Sequence, residues 1–148
     1  MSDGFSTLLI KGIAQLLATA SVGTWRSDGT AYQATETAIF LKQIAEQPDS
    51  AIAISTYPGT DDPTLSDSVL GIQILTRAAG ESSTPVDDLA DSIFTQLHGL
   101  HDITLTTGIR VNQALRRSWA SLGQDTDLRW MRSDNYYFTL WRPSLNRL

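Results

Sequence analysis

The stretch from Ile109 to Leu148 constrains the fold more than any other. Its alternating run Val111-Asn112-Gln113-Ala114-Leu115-Arg116-Arg117-Ser118-Trp119 leads through Leu122-Gly123-Gln124-Asp125. It then enters Arg129-Trp130-Met131-Arg132-Ser133-Asp134-Asn135-Tyr136-Tyr137-Phe138-Thr139-Leu140-Trp141-Arg142-Pro143. Alternation with aromatic enrichment reads as two long strands. Three of the four tryptophans and seven of the eleven Lys/Arg residues lie here. Arg, Trp and Tyr dominate interaction hot spots. The pair has the composition of an assembly surface rather than a catalytic pocket.

Charge divides along the same line. Residues 1–108 carry four Lys/Arg and thirteen Asp/Glu, a net −9; residues 109–148 carry seven Arg and three Asp, a net +4. Such asymmetry suits head-to-tail contact between identical copies, because each copy offers both signs. The length of 148 residues fits one domain with a real core. There is no cysteine, so disulfides, thiolate metal sites and a cysteine nucleophile are excluded. This suits a reducing cytoplasm, or a particle assembled there. No signal peptide is evident and no apolar run approaches a membrane span, so a soluble protein without a membrane partner is expected.

Upstream, residues 3–20 form an amphipathic helix with Phe5, Leu8, Leu9, Ile13, Leu16 and Leu17 on its stripe. Ser2 or Asp3 is the expected cap and Gly23 the expected stop, while Gly12 weakens the helix slightly. Ser27-Asp28-Gly29-Thr30, between Trp25 and Tyr32, signals a small β-hairpin. Residues 37–43, 51–57 and 68–77 read as strands, and 58–67, with two prolines and three aspartates, as a loop. Thr84-Pro85-Val86-Asp87 opens a second helix whose stripe runs from Val86 to Leu100. A short piece, Asp102–Thr107, precedes the two long strands. The expected fold class is α+β: a single antiparallel (mixed) sheet of four to five strands, two main helices on one face, and the hairpin.

Candidate chemistry is sparse. His98 and His101 are spaced to share a helix face, but Gly99 falls between them at the helix end, and no His-Glu-x-x-His pattern exists. Asp61, Asp62 and Asp67 share one loop without calcium-loop spacing. No nucleophile elbow, phosphate loop or dinucleotide fingerprint is present. No catalytic residue, metal or cofactor is therefore assigned. Arg116, Arg117, Arg129 and Arg132 interleave with Trp119, Trp130 and Tyr136 as in nucleic-acid stacking platforms. The acidic chain, with a sequence pI near 4.8, opposes phosphate binding. These four arginines and three aspartates are the candidate contacts to a neighbouring subunit or another protein partner.

Read together, several pieces resemble a phage family, the small minor capsid or tail-terminator proteins of long, non-contractile-tailed phages of actinobacterial hosts. They are the Leu8-to-Leu17 helix with Gly23 and Trp25, Thr37–Gln43, Ala53–Gly59 with Asp61-Asp62-Pro63, and Leu70–Gln73 with Arg77. Ala90–Phe94 with Leu97–Leu100, Leu122–Asp125, Arg129-Trp130 and Arg132–Tyr137 complete the set. The resemblance spans nearly the whole chain. It implies a structural virion protein at the head–tail junction, assembled in the host cytoplasm and not an enzyme. It further implies a hexameric ring that caps the tail tube, stops its polymerisation and meets the head-completion proteins. DNA would pass through without specific binding. A head-closure or adaptor protein on the portal side is the alternative within the same machine. A small ligand-binding domain or enzyme is the alternative outside it.

Overall fold

The computed structural model describes residues 2–147. The element order is α1 (Phe5–Thr19), β1 (Ala38–Leu41), β2 (Ala51–Asp61), β3 (Asp67–Ala78), α2 (Thr84–Leu97), β4 (His101–Thr104), β5 (Arg110–Gln124) and β6 (Trp130–Trp141). The six strands form one mixed sheet in the order β1-β2-β3-β6-β5-β4. That is more than the four to five expected, because the short Ala38–Leu41 and His101–Thr104 pieces both join as edges. All neighbours are antiparallel except β1 and β2, which run parallel. Short links favour antiparallel pairing. Here the loop 42–50 has to carry the chain back along the strand, and two buried arginines, described below, fasten it.

Both helices pack on one sheet face, α1 over β1 and β2, α2 over β3, β5 and β6. Leu9, Ile13 and Leu17 of α1 and Ile93 and Leu97 of α2 join Ile52, Ile54, Ile72, Ile74, Tyr136 and Phe138 in the core. Each fully buried aliphatic side chain of this kind contributes roughly 1.5–3 kcal/mol. The other sheet face carries no helix. Ser55, Gln73, Asn135 and Ser118 stand in one row across β2, β3, β6 and β5. Gln73 donates to the Ser133 hydroxyl at 3.1 Å and Asn135 to that of Ser118 at 3.3 Å.

Several local expectations are corrected. The cap of α1 is Gly4, not Ser2 or Asp3, and the helix ends before Gly23, where Ser21 turns the chain at φ 62°. Gly12 is buried, and a Cβ there would lie 2.7 Å from Thr107 Oγ1 and 2.8 Å from Leu105 Cδ1. It is therefore a packing residue rather than a blemish. Ser83, not Thr84, caps α2, and the helix stops at Leu97.

No strands flank Ser27–Thr30. The turn exists, with Gly29 at φ 78°, but the segment is held by side chains instead of a ladder. Tyr32 donates to the Ile39 carbonyl and accepts from the Arg26 amide, and Arg26 donates twice to Glu36 at 2.8 Å. The loop expected over 58–67 shrinks to 62–66, because β2 continues through Pro58 to Asp61. Proline is admitted on edge strands and at bulges. Pro58 sits next to a bulge at Gly59, where a Cβ would lie 2.0 Å from the Val69 carbonyl oxygen.

Candidate assembly surface

The four arginines singled out in the C-terminal strands divide in two. Arg132 and Asp134 alternate on β6 and so share the helix-bearing face. Arg132 is 3% exposed. Its Nε donates to Asp134 Oδ1 at 2.8 Å and its Nη2 to Oδ2 at 3.1 Å. Asp87 of α2 accepts a third bond at 3.2 Å, Asp91 lies at 3.6 Å, and the guanidinium stacks 3.8 Å over the Trp119 ring. Burial works against the Arg132 charge, and these carboxylates outweigh it, so its pKa is raised. Burial likewise pushes the Asp134 carboxyl up, opposed by Arg132 and Arg116.

Arg129, three residues earlier at the β5–β6 turn, also turns inward, 4% exposed. Asp125 accepts its Nε at 2.9 Å, and its Nη1 reaches the Glu46 carbonyl. The carboxylates of Asp49, Glu46 and Asp127 ring it at 3.3–3.4 Å. Arg77 completes the loop anchor, donating to the carbonyls of Asp49 at 3.0 Å and of Ala45 and Pro48 at 2.7 Å. Burial, then the nearby Arg129 charge, lowers its pKa. Sequence reasoning missed Arg77 as the loop's organiser. The available signal was one arginine between Thr76 and Ala78 in an otherwise uncharged strand end.

Arg116 is half turned in. Its guanidinium lies 4.2 Å over the Phe94 ring and 3.4 Å from Asp134, and its amide donates to His98 Nδ1 at 2.9 Å. Arg117 is exposed and has no ion pair among the described residues. The structure thus uses Arg129 and Arg132 inside the subunit and leaves Arg117 on its surface.

The aspartates organise the β2–β3 turn. Asp62 accepts from the Thr64 hydroxyl at 2.6 Å and the Thr64 and Leu65 amides, which hold its carboxyl below the usual range. Asp67 accepts from Asn112 at 3.3 Å, and Asp61 stands 4.0 Å from Arg147. Arg147 fastens the C-terminal tail to this turn through the carbonyls of Asp62 and Arg142 and the Ser68 hydroxyl. The histidines part company. His98 stacks on Phe94 at 4.6 Å, while exposed His101 stands 3.1 Å from the Gly99 carbonyl. No group of three metal-ligating side chains occurs among the described residues.

Exposed apolar side chains occur in two places along β6. One is Trp119, Leu122 and Leu128 on the β5–β6 hairpin; the other is Leu65, Trp141 and Leu145 beside the β2–β3 turn. The β5 edge is also bare. Beyond Arg116, β5 pairs only with β6 among the described residues, and residues 117–122 are all exposed.

The profile of the bacteriophage tail terminator protein family matches residues 16–142. The chain belongs to that family. A tail terminator is a structural protein of the virion, associated with the tail, and that is where this chain resides. Among solved structures, the chain is similar to a chain from the virion of a native gene transfer agent (GTA) particle. The two share 14% identity at a TM-score of 0.62, over 94% of this chain and 98% of that one. This likeness shows that the fold is shared. No curated protein sequence matches the chain. No helix of it, among the described residues, is long and apolar enough to cross a membrane. Its surface hollows include one of about 580 Å³, lined by Trp25, Arg26, Tyr32, Phe40 and Lys11. That lining holds no paired nucleophile and base.

Proposed function

We propose that the protein caps the tail tube as a closed ring of identical subunits, stops tube polymerisation and presents the surface to which head-completion proteins bind. The observation that carries this reading is the family match over residues 16–142. Two features of the subunit support it. A cap between tube and neck needs two different docking surfaces, and the two apolar groups are set apart along β6: Trp119 stands opposite Asp134, seven residues and roughly 24 Å from Trp141. A ring needs a heterologous interface whose rotation closes. The exposed Arg117 and the exposed aspartates of the β2–β3 turn give opposite charges at separate places on one subunit. Six copies are the expected number. DNA crosses the ring without specific contacts, past an open sheet face whose central row is uncharged.

Electron microscopy of particles made without this protein tests the reading. Filled heads beside over-long or ragged tails are expected. Tails of normal length with leaking heads would move the protein to the portal side of the neck and overturn it.

A further inference from the structure

We infer that the bare edge of β5, residues 117–124, takes an antiparallel strand from a second copy of the chain, residues 55–61 of its β2, joining copies head to tail into one continuous sheet. This deepens the ring reading and rests on it for the closure.

An exposed edge strand is a template for pairing, which charges, prolines and bulges oppose; the β2 edge offers no donor at Pro58 and bulges at Gly59, while the β5 edge is freer. After Arg117 the β5 edge runs Ser118-Trp119-Ala120-Ser121-Leu122-Gly123-Gln124, with no charge. Its bulges, between Arg116 and Ser118 and between Ser121 and Gly123, bend the strand but leave its outer side uncovered. The second bare edge belongs to β2. β1 pairs with Ala51–Ile54, and Lys42 makes the last backbone bond to Ile54, so residues 55–61 lack an outer neighbour among the described residues.

Three properties make these edges fit each other. They are matched in length, eight residues against seven. They run antiparallel within the sheet, so a second copy placed in the same sense continues the alternation. In the register that sets Ser118 against Thr60, Arg117, which lacks an ion pair, falls opposite Asp61, 61% exposed. Opposite charges across strands stabilise the pairing.

The offset is also that of a closed sheet. Ser118 already shares a row with Ser55, and the bulge at Gly59 takes no row of its own, so pairing Ser118 with Thr60 slides the next copy by four rows, about 14 Å, over four strands, about 19 Å. The strands then tilt by roughly 35° from the ring axis, at the lower end of the 35–45° of closed barrels. The helices must lie outside such a ring, and the uncharged row of Ser55, Gln73, Asn135 and Ser118 inside.

The absence of native cysteine gives a clean test. Ser118→Cys is combined in turn with Ser55→Cys, Tyr57→Cys and Thr60→Cys, which share its sheet face, and assembled virions are oxidised. Facing positions in neighbouring strands come within disulfide reach. Loss of the monomer band to a ladder of covalent oligomers is expected with one of the three pairs. Each single substitution should stay monomeric. No ladder with any pair, in particles whose tails are of normal length, overturns the inference while leaving the terminator role standing. Dimers from Ser118→Cys alone would also overturn it, because they require a two-fold contact. Tails of normal length in particles lacking the protein would remove the terminator role. A ladder would then still support the edge pairing.

Discussion

At the scale of residues, the arginines show how little of a side chain's fate its type reveals. Arg132 and Arg117 lie in adjacent strands, yet one is sealed among Asp134, Asp87 and Trp119 and the other faces solvent. Breaking a buried pair leaves an uncompensated charge, which costs about 3–5 kcal/mol. Arg132→Leu should lose about that much in urea unfolding, and a loss under about 1 kcal/mol would contradict the buried network. Gly12 makes the opposite point. Alanine is favoured over glycine in a helix by about 1 kcal/mol. A methyl at Gly12 would nonetheless press on Leu105 and Thr107, and overpacking costs about 1–3 kcal/mol. Gly12→Ala should therefore destabilise, and a raised unfolding midpoint would show that the contact yields. The helix pattern was legible in Leu9, Ile13 and Leu17. The role of Gly12 was not, because it depends on a residue ninety-five positions away.

At the scale of elements, carboxylates hold the turns. The Thr30 amide and hydroxyl lower Asp28, Arg26 lowers Glu36, the Thr64 hydroxyl and amide lower Asp62, and the Arg129 amide lowers Asp125. A carboxylate with a folded pKa below its unfolded value adds stability above that unfolded value, near 4. That stability is lost as pH falls through about 4 toward the folded values. Asp134, whose carboxyl is raised, works in the other sense. Four lowered groups outnumber it, so the melting temperature should drop between pH 5 and pH 3. Asp125→Asn should melt lower at pH 7 and lose less on acidification. Thermal melts across that range check this, and a flat wild-type profile would refute it. The turn at Ser27–Thr30 was readable from Asp28-Gly29, but hairpin strands were not built there. Tyr32 and the Arg26–Glu36 pair satisfy the segment from its own side chains.

At the scale of the whole molecule, the proposed ring turns on which surface groups meet a neighbouring copy. Surface substitutions that touch nothing change stability by about 0.5 kcal/mol or less. Arg117→Glu should leave the unfolding midpoint unchanged and abolish infectious particles, by setting like charge against Asp61 of the next copy. Arg116→Glu should lower the midpoint, because Phe94 and Asp134 pack against it. Equal melting of both variants, or normal titres of Arg117→Glu, would contradict the division of the arginines. Paired measurements of stability and titre separate a folding defect from an assembly defect.

Patterns short enough to be local were determined by the sequence itself. The two helices, the strands at 51–57 and 68–77, and the long C-terminal pair follow from apolar spacing of 3.6 and 2. The charge asymmetry and the absence of cysteine are also its own. Only the tertiary structure decided that β1 runs parallel to β2, that β3 lies beside β6 rather than near β4, and that Arg77 and Arg129 fasten the loop 42–50. Each is a choice among partners far apart in the chain. Spacing shows which face a residue occupies and carries no information about what lies against it.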